Sequence, residues 1–194
     1  MSWILILAVA CGTPEPAVAP VPTPDAAPAE APAPVASESK RWAFPVQEGW
    51  TEEAVKSKMR MAQFALPKAE GDPEDASVIV YFFGEGGGGS IDANFQRWAG
   101  QFVVEGEADP MKAAKFARVE RDGAVLHNMK ISGKFIAETR PGSGDRVDKD
   151  AWRMLATIVE TDGGPYFVKL TGPEKTVQKW ASSYDAFLAA AGPS

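Results

Sequence analysis

AKFARVERDGAVLHNMKISGKF, residues 114–135, alternates apolar and polar side chains on both sides of Asp122-Gly123. Asp-Gly favours the positive-φ, two-residue turn that joins neighbouring antiparallel strands, so this stretch predicts a β-hairpin. Downstream, WRMLATIVET (152–161) and PYFVKLT (165–171) predict two further strands joined by Asp162-Gly163-Gly164. Upstream, MRMAQFALP (59–67) reads as a strand stopped by proline. SVIVYFF (77–83) is a continuous β-branched and aromatic run, which predicts a central strand covered on both faces. Two segments carry helical spacing instead. After Ser90, a suitable N-cap, Ile91, Phe95, Trp98 and Phe102 recur at i, i+4, i+7 and i+11. In EKTVQKWASSYDAFLAAAG (174–192), Val177, Trp180, Tyr184, Phe187 and Leu188 form the apolar stripe. Thr171 and Glu174 stand at capping-box spacing, and Gly192-Pro193 ends the segment. Strands, helix, antiparallel strands, helix: the predicted fold is α+β, an antiparallel sheet with two main helices packed on it as a sandwich, over residues 41–194.

The phrases GWTEEAV, MRMAQFALP, FFGEGGGGSIDANFQRW and FVKLTGPEKTV, spread over Trp50 to Leu188, resemble uncharacterised secreted bacterial proteins with a PsbP-like sandwich. That resemblance implies a PsbP-like α/β sandwich serving as a non-catalytic accessory module. It brings no catalytic residue with it.

The chain opens with MSWILILAVACG, in which Ile4 to Ala10 is unbroken apolar sequence of minimal signal-peptide length. A bilayer-spanning helix needs about 20 such residues. Ala8, Val9 and Ala10 precede Cys11, the only cysteine, and the run resembles the bacterial lipobox. The resemblance implies a signal peptide over residues 1–10, cleavage before Cys11 and diacylglyceryl attachment to its thiol. Gly12 in place of Asp resembles outer-membrane sorting. No Lys or Arg precedes the apolar run, which points to a start upstream of Met1 or to an atypical signal. Residues 11–40 then form the acylated Cys and its tether. Eight of the 16 prolines lie between Gly12 and Lys40 with almost no large apolar side chains, so an extended, disordered spacer is expected. The expected address is the cell envelope, lipid-anchored to the outer membrane and facing the periplasm.

Among 194 residues the net charge is −6, and no cluster of Lys and Arg is present for a phosphate backbone, which argues against nucleic acid. One Cys and one His, His127, leave no thiol or histidine set for a metal, and no cofactor is expected. His127 alternates with Val125, Met129 and Ile131 and is expected on an apolar strand face as a hydrogen-bonded core histidine. No catalytic residues are assigned, and the expected role is a membrane-anchored binding or accessory module with an envelope protein or small ligand as partner. The alternatives are an envelope enzyme using carboxylates, or nucleotide or anion binding at Gly84–Gly89.

Gly84, Gly86 and Gly89 satisfy G-x-G-x-x-G between a predicted strand and a predicted helix. Glu85 beside that site and the antiparallel hairpins downstream weigh against it, and the other reading is a plain strand-to-helix connection. Candidate binding residues at this loop are Gly86, Gly89, Asn94 and Arg97. A second candidate is the polar segment AETRPGSGDRVDKDA (137–151), read as a long loop carrying Arg140 and Arg146.

Overall fold

The computed structural model describes residues 41–55, 57–121, 123–138 and 144–194. The expectations for the signal, Cys11, the tether, Arg140 and the Asp122 side of the hairpin turn lie outside these residues. In chain order the elements are β1 (Trp42–Ala43), β2 (Thr51–Glu52), β3 (Arg60–Leu66), β4 (Ala76–Phe82), α1 (Ile91–Ala99), β5 (Phe102–Val103), α2 (Pro110–Ala113), β6 (Lys115–Arg121), β7 (Ala124–Glu138), β8 (Arg146–Glu160), β9 (Tyr166–Pro173), α3 (Glu174–Ala190) and β10 (Gly192–Pro193).

The main sheet runs β2-β3-β4-β9-β8-β7-β5, with β6 also on β7, and every pair in it is antiparallel. This is an α+β sandwich. Arg121 pairs with Ala124, so two residues separate the strands, the spacing the Asp-Gly pair predicts, and Gly123 has φ +74°. The short strands β1 and β10 pair antiparallel and bring the two ends of the domain together.

Alternation along each strand divides the core between two sheet faces. On one face Val78, Val80, Leu155, Val159, Val168 and Leu170 pack under α3. Phe187 lies at the middle of that layer, with ring centroids 5.0 Å from Trp50, 5.5 Å from Phe64 and 5.6 Å from Phe44. Val177, Tyr184, Phe187 and Leu188 are buried as their stripe predicts, and Trp180 is partly buried, donating from its indole N–H to the Pro67 carbonyl at 2.8 Å. On the other face Met129, Ile131, Met154, Ile158 and Phe167 pack with Phe95 and Trp98 of α1.

Four expectations are corrected. The polar segment 137–151 is no long loop. β7 and β8 are 15-residue strands that continue to Glu138 and from Arg146, with the pairs Ala137↔Val147 and Glu138↔Arg146. These strands run on past their apolar positions, so they carry the polar residues that composition assigns to loops; Lys134 holds Asp148 at 2.7 Å and Asp150 at 3.6 Å. Second, α3 has no capping box. Thr171 stays in β9 and Pro173 takes the N-cap position without a side-chain bond. The carboxylate of Asp72, from the β3–β4 connection, accepts instead from the Thr176 N–H at 2.8 Å and from its hydroxyl at 2.6 Å. A tertiary carboxylate satisfies the exposed donors and the positive end of the helix. Third, α1 ends at Ala99, with Gly100 as C-cap, and Phe102 belongs to β5, where its ring meets Phe135 at 5.2 Å. Fourth, β4 is central but only its Val78 and Val80 face is fully buried; Ser77, Ile79 and Tyr81 remain half-buried on the other side.

Candidate functional site

That half-buried side of β4 belongs to a groove. α1 has nine residues, against 17 in α3, and covers only part of its face. The uncovered part is a depression of about 420 Å³ whose walls include Ile79, Tyr81, Phe135, Trp152, Lys169 and Thr171. This lies within the size range of small-molecule sites, about 300–1,000 Å³, and mixes aromatic walls with few polar groups as such sites do. Phe135 and Trp152 stack with centroids 6.3 Å apart. Glu74 and Lys149 form an ion pair at the rim, joining the β3–β4 connection to β8.

A β-bulge shapes the wall. Between the pairs Gly133↔Trp152 and Phe135↔Lys149 the register slips, placing one extra residue in β8. Ala151 absorbs it at φ +52°, a left-handed conformation that strains a residue with a Cβ. The slip puts Lys149 and Trp152, three apart in sequence, on one side, with the ammonium 5.4 Å from the indole ring.

Lys169 is the charged group set deepest in the groove. It alternates with Phe167 on β9 and so points to the α1 side of the sheet. Its ammonium stands 5.4 Å over the Trp98 ring and 3.5 Å from the Gln101 side-chain oxygen, the outer limit of a hydrogen bond. Among the described residues no carboxylate pairs with it. Burial, and secondarily the charge of Arg97, pulls its pKa from 10.5 down to about 8. The indole N–H of Trp152 is buried without an acceptor among the described residues. A desolvated cation in a concavity, with an unsatisfied donor in its wall, makes this groove a candidate binding site.

The glycine loop has a different character. Gly88 sits at φ +86°, and a Cβ there would fall 2.3 Å from the Phe167 ring; Gly164 approaches the Gly84 carbonyl so closely that its Cβ would come within 2.8 Å. The run therefore has a packing reason at these positions. Ser90 caps α1 by accepting from the Ala93 N–H. Asn94 is buried, and its amide donates to the carbonyls of Gly88 at 2.8 Å and Ser90 at 2.9 Å, fastening loop to helix. Arg97 is exposed, donates to Asn94 Oδ1 and lies 5.8 Å from the Trp98 ring. Gly86 and Gly89 are exposed. Arg146 is exposed at the start of β8, on the far hairpin, so the structure does not bring it to the glycine loop.

No protein-family model matches this chain, and no curated protein matches it. Among solved structures, the solution structure of cyanobacterial PsbP (CyanoP) from Synechocystis sp. PCC 6803 is similar at 15% identity, with a TM-score of 0.46, over 79% of this chain and 86% of that one.

A second depression, of about 390 Å³, lies between α1 and β6 and is lined by Phe95, Phe116, Arg118 and His127. His127 is on the α1 side of β7, as its alternation predicts, but at the margin, where its Nε2 stands 2.6 Å from a Glu160 oxygen. Sequence reasoning missed both Glu160 as this partner and Lys169. In the sequence Lys169 reads as an ordinary outward residue of an alternating strand; its surroundings come from α1 and from Gln101, 68 positions away. Among the described residues no cluster of three metal-ligating side chains occurs, and no helix is long and apolar enough to cross a membrane.

Proposed function

We propose that this protein is a membrane-anchored envelope lipoprotein acting as a non-catalytic binding module, with the groove beside α1 as its ligand site. The observation that carries the binding reading is the aromatic groove left open on the α1 side of the sheet, where the α3 side is closed. A structural sheet face of this kind gains roughly 25 cal/mol for every Å² of apolar surface it covers, so leaving Tyr81, Ile79 and Phe135 partly exposed is a cost that a ligand would offset. The anchoring half rests on the lipobox-like run ending at Cys11 and the proline-rich residues after it. Two or more acyl chains hold a protein stably at a bilayer.

Each half has its own test. Radiolabelled palmitate enters the wild-type chain and is absent from Cys11→Ser; equal labelling of both rejects the anchor. For the groove, titration of the full chain with 2-naphthoate is followed by NMR. Saturable shifts at Tyr81, Phe135 and Trp152 are expected, with residues under α3 unmoved. Shifts spread over both faces, or none, reject the site.

A further inference from the structure

Resting on the groove reading above, we infer that the ligand is a carboxylate on a flat apolar body, and that Lys169 is the residue that recognises its charge. Three features of the groove converge on this. The first is its charge balance. Of the two acids at the rim, Glu74 pairs with Lys149, and Asp75 is held on a neutral donor, the Lys68 N–H, at 2.9 Å, with neither paired to Lys169. The cations at the α1 end are not matched. Lys169 and Arg97 stand over the same indole, Trp98, at 5.4 and 5.8 Å, and neither has a carboxylate partner among the described residues. An ammonium held, among the described residues, only by a ring face and one distant amide oxygen attracts an anion, since a charge-assisted bond in a low-dielectric wall is stronger than either.

The second is donor excess. The Trp152 N–H in the groove wall is buried with no acceptor among the described residues, while a carboxylate has two oxygens and no donor. The third is shape. Walls formed by Tyr81, Phe135 and Trp152 favour a planar body lying against ring faces. A lysine presents a compact point charge and suits a single carboxylate; Arg97 is exposed, lies outside the groove lining and spends one donor on Asn94.

The groups around Lys169 from the elements lining the groove are Arg97 and Trp98 of α1, Gln101, Tyr81 of β4 and, at the rim, Asp75 and Glu74 with Lys149. None of these acids neutralises it, so its protonation governs anion affinity. The ammonium loses its proton as pH rises through about 8, and recognition is lost with it.

The experiment compares 2-naphthoate with 2-naphthylmethanol, matched in ring and differing in charge, on the full chain. At pH 7 naphthoate binds at least tenfold more tightly. The preference fades toward unity by pH 10 and in Lys169→Met, and persists in Lys169→Arg. Equal affinity for the two probes in the wild type, or a preference untouched by pH and by Lys169→Met, overturns the carboxylate inference while leaving the groove as an apolar site. Binding of neither probe overturns both. Because the pH arm uses the wild-type chain, the result does not depend on the folding of any variant.

Discussion

The two faces of the sheet are built from the same strands, yet they are finished differently. Under α3, a 17-residue helix joins Trp50, Phe64 and Phe44 around Phe187, and strand positions such as Val78, Val80, Val168 and Leu170 have no exposed surface. Under α1, nine residues cover only one end, and the other end keeps half-buried aromatics with a lysine among them. Helix length is the physical difference. At 1.5 Å of rise per residue α3 reaches about 25 Å and α1 about 14 Å, so one spans the strands it crosses and the other does not. The covered face stabilises the domain, and the uncovered one carries its candidate function. Stability and site are thus divided between two sides of one sheet, separated by a single residue step along each strand.

The largest expected effect lies on the covered face. Phe187→Ala removes the ring that three aromatic neighbours share and should cost about 3–5 kcal/mol, read by urea unfolding; a loss under about 1 kcal/mol would break the account of that layer. On the open face the sign reverses. Lys169→Met should stabilise the fold at pH 7 by about 1–2 kcal/mol, because it removes a desolvated cation without a counter-charge. The pH dependence follows from the same cause. Folded Lys169 has a pKa of about 8, below the 10.5 of the unfolded chain. Below about 8 it is charged in both states and the folded state bears the burial cost. Between about 8 and 10.5 the unfolded state binds more protons, so stability rises with pH. Melting temperatures taken across that window should climb in the wild type beyond any rise seen in Lys169→Met; parallel curves would remove Lys169 from the explanation. The smallest effect concerns the bulge at the groove wall. Ala151→Gly relieves the left-handed backbone and should raise stability by about 0.5–1 kcal/mol, offset in part by the entropy glycine loses on folding. Differential scanning calorimetry of the two chains resolves this, and a fall in stability would show that the Ala151 methyl packs better than its φ strains.

Much of the fold was readable because it rests on local rules. Asp122-Gly123 lies between paired strands, Ser90 caps α1, and the stripe from Val177 to Leu188 is buried. Each is decided by turn chemistry, capping or periodicity within a few residues. The misreadings have a common cause. The segment 137–151 looked like a loop because strands that extend past a core need no apolar face, and composition alone does not separate such strands from loops. The capping box failed because a better-placed carboxylate, Asp72, arrives from 104 residues away. The glycine run was read through a phosphate-binding pattern, and its closest constraints are the Phe167 ring and the Gly164 approach.

Lys169 shows the boundary most directly. Residue order made it a polar position in an alternating strand, and with it determined which side of β9 it occupies. The same order determined that the strands are antiparallel, that two helices accompany them, and that one side chain at Cys11 carries the only thiol. Only the tertiary structure decided that α1 would stop short of covering its face, that a bulge would set Lys149 over Trp152, and that a lone ammonium would lie against Trp98 without an acid. The reason is one of range. Dihedral preferences and side-chain periodicity act over a few residues, whereas desolvation and charge balance depend on everything within a few ångströms in space, whatever its distance along the chain.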